Sequence, residues 1–539
     1  MDAARDQARL VDALASSGVL GGATATAKLE THISFVLLTG TYAYKIKKAV
    51  DFEFLDFTTL AARRLFCEEE LRLNRRLAPE LYLEVVPITG SVDAPRLGGP
   101  GRTLEYAVKM REFPQDALAS RLLAAGLLGP ADIDRLAARV ASFHSAIAIA
   151  TPDGVFGAPD DILRLAQRNF EALAPLLTAS QERSELEELR AWTEREHAAC
   201  RDAFLRRRQL RFVRECHGDL HLNNIARIDG EIVIFDGIEF NEAMRWIDVM
   251  SEIAFTVMDL EDRGRPDLAH RFLNAYLERT GDYAGLAVLP FYLAYRALVR
   301  AKIAGLRAAQ IGAGAAGSAA LTESHGYLRL ARHYAEPRRP ALIITCGLSG
   351  SGKTALSQVL LETIGAVRVR SDVERKRLHG VAATARSEVD IAQGLYSPAA
   401  SEATYDRLRA LARDILSAGR IAIVDATFLR QADRESFRML ARDLAVPFVI
   451  VAFEAEDGTL RERITRRRGE GFDASDADLA VLAHQIATRE PLTTAERTYA
   501  VTYDAEAPLE AARTPTAWAP LAARLAARAE ASSGPPSAG

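Results

Sequence analysis

Short apolar runs separated by amphipathic helical segments mark the last third of the chain. The apolar runs are ALIITC at 341–346, IAIVDATF at 421–428 and VPFVIVAFEA at 446–455, and AVRVRSD at 366–372 is a further predicted strand that ends in Asp372. Continuous apolar runs are typical of strands buried on both faces, and parallel strands need a crossover that is usually a helix. The pattern therefore predicts an α/β domain with a doubly wound parallel sheet, whose ligands bind at the carboxyl ends of the strands.

The first part of the chain shows a different pattern. Residues 32–57 predict two or three strands, and in TYAYKIKK the alternation puts the aromatic residues on one face and Lys45 and Lys47 on the other. The segment 66–78 predicts a helix, and 103–122 predicts a further strand followed by the start of a helix. This half is therefore expected to be of the α+β class.

One break in composition separates the two patterns. A stretch rich in Gly, Ala and Ser, QIGAGAAGSAA, spans 310–320, a short helical segment follows, and EPRRP then leads into the apolar run at Ala341. Two prolines beside charges are typical of a linker, and a Gly/Pro/Ser-rich tail is typical of disorder. We therefore predict a first domain over 1–336, a linker at 337–340, a second domain over 341–526 and a disordered tail at 527–539.

Composition limits the classes of function. The 539 residues are 49% hydrophobic and 26% charged, which is enough to bury large cores, and the net charge of −4 argues against a dedicated nucleic-acid binder. The four cysteines lack metal-ligand spacing and are expected to be reduced thiols. The N-terminus lacks a signal peptide's apolar segment, and the most apolar stretch, 285–306, carries three basic residues. We therefore expect a cytoplasmic protein without a membrane span.

Residues 347–354 carry the clearest chemical motif. They read GLSGSGKT, which fits G-x-x-x-x-G-K-[ST], and they lie between an apolar run and a segment of helical spacing. In such a loop, backbone N–H groups surround the phosphates, the lysine reaches the β- and γ-phosphates, and the last hydroxyl binds Mg²⁺. We predict an ATP and Mg²⁺ site in which Lys353 also acts in catalysis and Thr354 binds the metal. Its residues are Gly347, Leu348, Ser349, Gly350, Ser351, Gly352, Lys353 and Thr354.

A second motif is HGDLHLNN at 217–224. It fits the pattern H-x-D-x-x-x-x-N, and it is followed by a short apolar run that leads to Asp236. These residue types at this spacing indicate phosphoryl transfer. Asp219 can orient or deprotonate an acceptor hydroxyl, and Asn224 and Asp236 can hold Mg²⁺ on nucleotide phosphates. His217 is expected to organise the loop rather than to react.

At these residues the chain resembles the aminoglycoside phosphotransferase and choline kinase-like families, which are distant relatives of protein kinases. The resemblance implies a bilobal, protein kinase-like domain with an N-lobe over about 25–112 and a C-lobe over about 113–336. It also implies that Lys45, with Lys47 as the alternative, holds the α- and β-phosphates. Glu70, in the helix that follows, is the best candidate for the glutamate that pairs with this lysine.

Three other residues complete the predictions for this half. The glycine-rich loop G-x-G-x-x-G is absent from the sequence, and Gly40 alone lies in the expected hairpin. His144 lies in an apolar helical segment, which favours a core histidine with a satisfied hydrogen bond. Asp248 lies where the family has an aspartate that braces the catalytic loop, although a helix cap fits equally well.

Charged residues also follow the predicted strands of the second half. Asp372 ends the second strand and is a candidate base for an acceptor hydroxyl, with Arg375 as an anion clamp. Asp425 ends the third strand and is a candidate Mg²⁺ ligand through water; each aspartate could instead cap the next helix. Arg463 and Arg467 share a helix face in a dense basic segment and are candidate lid residues, with a solvated face as the alternative.

The second half resembles the P-loop kinases grouped around polynucleotide 5′-kinases, zeta-type toxins and gluconate or shikimate kinases, in some of which an Asp-x-x-Arg pair follows the second strand. The whole chain resembles bacterial proteins that fuse a phosphotransferase-like module to a P-loop kinase. We predict an ATP-dependent phosphotransferase with two nucleotide sites, each acting on a small-molecule hydroxyl. The alternatives are a polynucleotide 5′-hydroxyl kinase in the second half, or a nucleotide-sensing module paired with one live kinase. The sequence leaves the oligomeric state open.

Overall fold

The computed structural model describes residues 3–20, 27–52, 55–381, 397–470 and 478–532. The strands are β1 (Ala27–Glu30), β2 (Ser34–Leu38), β3 (Tyr42–Lys47), β4 (Asp51–Phe52), β5 (Leu55–Asp56), β6 (Tyr82–Ser91), β7 (Ala94–Leu97), β8 (Glu105–Arg111), β9 (Val213–Glu215), β10 (Ile225–Ile228), β11 (Glu231–Ile234), β12 (Trp246–Asp248), β13 (Leu342–Cys346), β14 (Val367–Arg370), β15 (Ala422–Asp425), β16 (Phe448–Glu454) and β17 (Ala500–Asp504).

The α-helices are α1 (Ala3–Ser16), α2 (Leu60–Asn74), α3 (Ala119–Ala124), α4 (Pro130–Ala146), α5 (Pro159–Leu173), α6 (Ser180–Gln209), α7 (Glu242–Arg245), α8 (Val249–Asp262), α9 (Pro266–Thr280), α10 (Leu289–Ile311), α11 (Ala315–Tyr334), α12 (Lys353–Ile364), α13 (Ser371–Leu378), α14 (Pro398–Ser417), α15 (Gln431–Asp443), α16 (Asp457–Glu470), α17 (Leu479–Thr488), α18 (Thr494–Arg497), α19 (Leu509–Ala512) and α20 (Ala519–Ser532). Among the described residues, none of these helices combines the length and the apolar character that crossing a membrane requires.

The chain divides into two compact units. The first comprises Met1–Leu186, Glu194–Asp259 and Tyr295–Ser324, and the second comprises Glu187–Thr193, Leu260–Ala294 and His325–Gly539. The segment Leu260–Ala294, which the sequence prediction assigns to the first domain, is therefore part of the second unit. The domain boundaries 1–336, 337–340 and 341–526 stay predictions about the sequence. Helix α20 runs to Ser532, inside the stretch predicted to be disordered, and 533–539 lie outside the described residues.

The first unit contains a six-stranded antiparallel sheet in the order β1-β2-β3-β8-β6-β7. Helix α1 packs against one face of this sheet, where Leu10 and Val11 join Tyr44 and Ile46 in a buried core. Because side chains alternate along a strand, Lys45 projects from the opposite face of β3. The neighbours of Lys45 on the flanking strands, Val36 and Val108, are apolar, so the charged end of this lysine must find partners outside the sheet.

The rest of the first unit is mostly helical. The segment that carries HGDLHLNN connects β9 to the antiparallel pair formed by β10 and β11, in which Ile225 lies opposite Ile234. Asp236 lies two residues after the end of β11, and His217 Nε2 lies 2.9 Å from Phe235 O, so the hairpin returns the chain to the start of the motif. Helix α8 is buried through Met250 and Ile253 and packs beneath this loop, because Thr256 Oγ1 donates a hydrogen bond to a loop carbonyl.

The second unit is built on a five-stranded parallel sheet in the order β14-β15-β13-β16-β17. The central strand β13 is fully buried at Leu342, Ile343 and Ile344, which explains its continuous apolar sequence. The predicted doubly wound parallel sheet is confirmed. Strand β17 was not predicted, because it forms an edge whose residues are only partly buried and whose sequence, AVTYD, is not a continuous apolar run.

Candidate active sites

The first site is built on the two lysines of β3. Lys45 Nζ lies 2.8 Å from Glu70 Oε1 and 2.5 Å from Asp236 Oδ1. Lys47 Nζ lies 2.7 Å from the other oxygen of Glu70 and also forms an ion pair with Glu239. Helix α2 thus supplies one carboxylate that both lysines share, and the structure brings together three of the predicted site residues.

Burial and charge act against each other in this cluster. Burial alone would lower the pKa of Lys45, but the carboxylates of Asp236 and Glu70 raise it well above its ordinary value. Burial likewise opposes ionisation of Glu70, yet Lys45 and Lys47 lower its pKa to about 2. Burial and the charge of Glu70 raise the pKa of Glu239 despite its contact with Lys47. The two lysines are therefore charged at neutral pH, and Glu70 is ionised.

The two lysines differ in exposure. The Lys47 side chain is completely buried, whereas that of Lys45 is 10% exposed and contacts Asp236, whose side chain is 44% exposed. Of the two, only Lys45 therefore meets a carboxylate that is open to solvent. Which of the two lysines holds phosphate stays a prediction.

The segment around Asp236 is held by α2 as well. Asp236 has a positive φ of 64°, which is uncommon for a residue with a side chain. Its backbone N–H donates to Tyr82 Oη at 3.1 Å, and the next N–H, of Gly237, donates to Asn74 Oδ1 at 2.8 Å. Because Asn74 lies one turn beyond Glu70, a single helix fixes both the lysine partner and the backbone that presents Asp236.

Asp219 lies in the loop between β9 and β10. Asn224 Nδ2 donates to Asp219 O and to Asp219 Oδ2, both at 3.0 Å, and lies 3.5 Å from Asp236 O. His221 Nε2 lies 3.3 Å from the same Asp219 oxygen. Burial would raise the pKa of Asp219, but His221, His217 and Arg300 hold it well below its usual range. Asp219 is therefore a carboxylate at neutral pH, as an acceptor of a hydroxyl hydrogen must be.

Glu252 on α8 braces this loop, and sequence reasoning missed it. Its carboxylate accepts the backbone N–H of Gly218 at 2.6 Å and that of His217 at 3.2 Å, and it lies 2.8 Å from His144 Nε2. His144 is thus a buried histidine with a hydrogen-bond partner, as predicted. An acidic residue inside the apolar stretch VMSEIAFTVM was the available signal, because a buried charge needs partners.

Asp248 takes the second of its two predicted roles. It accepts the N–H of Met250 at 2.8 Å at the start of α8, and it forms a buried two-bond ion pair with Arg207. The loop is braced by Glu252 instead. Gly40, for its part, lies in the turn between β2 and β3, where Glu112 Oε2 accepts the N–H groups of Thr39 and Gly40.

The second site is the loop between β13 and α12. Gly347, Gly350 and Gly352 have positive φ values of 153°, 86° and 76°. A Cβ atom at Gly347 would lie 2.7 Å from Phe453 O, and one at Gly350 would lie 2.8 Å from Leu460 O, so both positions need glycine. The loop delivers the chain to the N-terminus of α12, where free N–H groups favour an anion.

Polar groups in this loop fit nucleotide phosphates. The Lys353 side chain folds back on the loop and donates to Leu348 O at 2.8 Å. Ser351 Oγ is buried and has no hydrogen-bond partner among the described residues, so a bound phosphate oxygen would satisfy it. Gln485 holds Ser349 through two hydrogen bonds, at 2.8 and 3.0 Å, and was not identified from the sequence because it lies far along the chain.

Asp425 and Thr354 lie at the same edge of the sheet. Asp425 is buried at the end of β15 and accepts a hydrogen bond from Ser357 Oγ at 3.4 Å. Arg368 Nη1 donates to Thr354 O at 2.8 Å and to Ser357 Oγ at 3.0 Å. Arg368 was not predicted, and it links the first turn of α12 to β14.

Asp372 and Arg375 form an ion pair at 3.1 Å within α13. Strand β14 ends at Arg370, so Asp372 lies in the first turn of the helix rather than at the end of the strand. Both residues line a cavity of about 2100 Å³, together with Lys353, Thr354 and Asp425. The predicted phosphate loop, base and anion clamp therefore face one space.

Of the two predicted lid arginines, the structure describes the side chain of one. Arg463 lines the cavity, donates to Ala505 O at 2.8 Å and lies 3.5 Å from Gly350 O. The side chain of Arg467 lies outside the described residues. Arg466, beside them, also lines the cavity and is exposed.

Comparison with known families finds matches to two parts of the chain. Residues 58–289 match the sequence model of the phosphotransferase enzyme family, and residues 342–492 match that of an AAA domain. An uncharacterized protein of Mycobacterium tuberculosis and one of Mycobacterium bovis are each 31% identical over 462 residues, which cover 84% of this chain and 89% of theirs.

Solved structures align with each part separately. A choline/ethanolamine kinase family protein from Mesorhizobium loti is 12% identical and covers 62% of this chain and 95% of its own, with a TM-score of 0.38. A gluconokinase from Sinorhizobium meliloti is 19% identical and covers 36% of this chain and 95% of its own, with a TM-score of 0.24.

The protein is a phosphotransferase, a kinase by class, with a protein kinase-like fold in its first part and a P-loop kinase domain in its last part. It belongs to the same family as the mycobacterial proteins. Its general reaction is ATP-dependent phosphoryl transfer, and kinases of these families use ATP, usually with Mg²⁺.

Proposed function

We propose that the chain carries two nucleotide sites, each of which transfers the γ-phosphoryl group of ATP to a hydroxyl group of a small molecule. The observation that carries the proposal for the first site is the meeting of two clusters. The first cluster consists of Lys45, Glu70 and Asp236, and the second consists of Asp219 and Asn224. The two clusters meet where the Asn224 amide nitrogen lies 3.5 Å from Asp236 O.

In the first site, Lys45 would hold phosphate oxygens, and Asn224 and Asp236 would hold Mg²⁺. Exposure favours Lys45 over Lys47, whose side chain is enclosed between Glu70 and Glu239. Bound ATP with its metal supplies the phosphoryl group. Asp219 orients the acceptor hydroxyl and accepts its proton as the oxygen is phosphorylated. The low pKa of Asp219 makes positioning the larger part of this role.

In the second site, the N–H groups of residues 347–354 and the Lys353 side chain would hold the phosphates. Thr354 would bind Mg²⁺, and Asp425 would bind it through water. Asp372 is the proposed base for the acceptor hydroxyl, and Arg375 beside it the proposed anion clamp. Arg463 is the lid arginine that we favour, because it already contacts the carbonyl of Gly350. The 3.1 Å ion pair between Asp372 and Arg375 supports this assignment.

We also propose that the sequence divides into domains bounded at 1–336 and 341–526. The match of the phosphotransferase family to 58–289 and of the AAA domain to 342–492 supports this division of the sequence.

ATP turnover by the wild type and by three variants tests the proposal. Asp219→Ala, Lys353→Ala, the double variant and the wild type are assayed against a panel of metabolites and against 5′-hydroxyl oligonucleotides. Glu68→Ala, on the exposed side of α2, is the control. Each single variant should lose turnover with one group of acceptors only, and the double variant should lose all of it.

Other results would replace the proposal by a specific alternative. Turnover that depends on Lys353 and on oligonucleotides alone would identify a 5′-hydroxyl kinase in the second site. Turnover that Asp219→Ala abolishes for every acceptor, while Lys353→Ala changes only its nucleotide response, would identify a regulatory second site. If both single variants match the wild type with every acceptor, the two-site idea is wrong.

A further inference from the structure

Helix α9 belongs to the second compact unit, although it lies inside the segment that matches the phosphotransferase family. Asn274, near its centre, donates to Ala366 O at 2.9 Å and accepts the N–H of Arg368 at 2.8 Å. Ala366 directly precedes β14, so these two hydrogen bonds attach α9 to the backbone at the start of that strand. The helix thus matches the phosphotransferase family by sequence and hydrogen-bonds to the segment around β14 in the structure.

Glu278, one turn further along α9, supplies a carboxylate to the arginines of β14. Its Oε1 accepts a hydrogen bond from Arg370 Nη1 at 3.0 Å, and its Oε2 lies 3.7 Å from Arg368 Nη2. Its backbone carbonyl also accepts a hydrogen bond from Arg377 on α13. Arg368 and Arg370 both line the cavity of the second site. Glu278 therefore forms ion pairs with two arginines that line that cavity.

Arg368 carries this contact to the phosphate loop. Its guanidinium is buried, and it donates to Thr354 O and Ser357 Oγ in the first turns of α12. Ser357 Oγ in turn donates to Asp425 at 3.4 Å. Burial lowers the pKa of Arg368, and Glu278 is the strongest of the groups that raise it. A continuous path of polar contacts thus joins Glu278 to the two residues that we assign to the metal.

We infer that Glu278 is a positioning residue of the P-loop site: through Arg368 it fixes Thr354 and Asp425 in the arrangement that Mg²⁺ and ATP need. The inference rests on the proposed nucleotide site at 347–354. It means that the P-loop kinase site depends on a side chain from the phosphotransferase-matched segment, and that the residues from 341 onward do not form this site alone.

Nucleotide binding to the full-length chain tests this role without any acceptor. Lys45→Met is the parent, because it removes the phosphate-binding lysine of the first site. Binding of a non-hydrolysable ATP analogue is measured by calorimetry over a range of Mg²⁺ concentrations. Glu278→Gln is compared with Glu362→Gln, which removes a matched ion pair between α9 and α12 (Glu362 with Arg271, 2.7 Å) that does not involve Arg368. Glu278→Asp, which keeps the charge, is the conservative variant.

Glu278→Gln should weaken binding of the Mg²⁺-analogue complex about tenfold, and the loss should be smaller without Mg²⁺. Glu362→Gln should change binding less than about twofold, and Glu278→Asp should recover part of the loss. Equal losses for Glu278→Gln and Glu362→Gln, or a loss that ignores Mg²⁺, would reduce Glu278 to a structural contact. If the parent binds no nucleotide, and Lys353→Ala in the parent leaves that result unchanged, the proposed P-loop nucleotide site is wrong. The inference about Glu278 is then wrong as well, since it rests on that site.

Discussion

Replacement of Glu252 by Gln should open the loop that presents Asp219. The variant keeps the size of the side chain but removes the charge that accepts the N–H groups of His217 and Gly218. Burial would raise the pKa of Glu252, but His144, His217 and the Gly218 N–H lower it from 4.5 to about 2. That difference corresponds to roughly 3 kcal/mol of stability at neutral pH.

The pH dependence of this stability follows from the sign of the pKa change. Because folding depresses the pKa of Glu252, its contribution is fully present above about pH 4.5 and is lost as the pH falls toward 2. The difference between wild type and Glu252→Gln should therefore stay constant from pH 8 to about pH 5. Below pH 4.5 it should shrink by roughly 1.4 kcal/mol for each pH unit.

Hydrogen exchange of the peptide that covers the Gly218 amide measures this opening locally. In Glu252→Gln the amide should exchange about a hundredfold faster than in wild type at pH 7, because the opening free energy falls by about 3 kcal/mol. Glu242→Gln, an exposed ion-pair partner of Arg245, is the control and should leave the rate unchanged. Rates within threefold of wild type, or a difference that persists undiminished at pH 3, would refute the reasoning.

Two further predictions concern the buried charges and the glycines. Lys47→Met leaves Glu239 buried without its cation and should destabilise the first unit by about 3–5 kcal/mol in urea unfolding. The double variant Lys47→Met, Glu239→Leu should recover most of this lost stability. The control Lys109→Met, at an exposed ion pair, should lower the free energy of unfolding by under about 1 kcal/mol. Full destabilisation in the double variant would contradict the pairing. Gly350→Ala should abolish nucleotide binding at the second site, because the methyl group meets Leu460 O and alanine disfavours φ of 86° by about 1–2 kcal/mol. Gly458→Ala, where the added methyl group meets nothing within 4 Å, should bind normally; normal binding by Gly350→Ala would show that the loop adapts.

The features that could be predicted from the sequence are those with a local pattern. The strands around β13 are continuous apolar runs because both of their faces are buried, and GLSGSGKT needs glycines because its own backbone adopts positive φ. The alternation in β3 likewise placed Lys45 and Lys47 on one face. In each case the physical cause lies within a few residues of the pattern, so a single sequence reveals it.

The features that could not be predicted depend on contacts between distant residues. Glu239 meets Lys47 across 192 positions, and Glu252 meets Gly218 across 34, so no local spacing marks either pair. Asp248 and Glu252 lie four positions apart, and only their tertiary partners decide which of them braces the loop. The position of α9 is a further case, since its partner Arg368 lies 94 positions from Asn274.

The central claim, that one chain holds two nucleotide sites, is tested most directly by the stoichiometry of nucleotide binding. Equilibrium dialysis with a non-hydrolysable ATP analogue and Mg²⁺ should give two nucleotides per wild-type chain. Lys45→Met and Lys353→Ala should each give one, and the two changes together should give none. A single nucleotide per wild-type chain that one of these variants removes, while the other variant still binds one, would contradict the account.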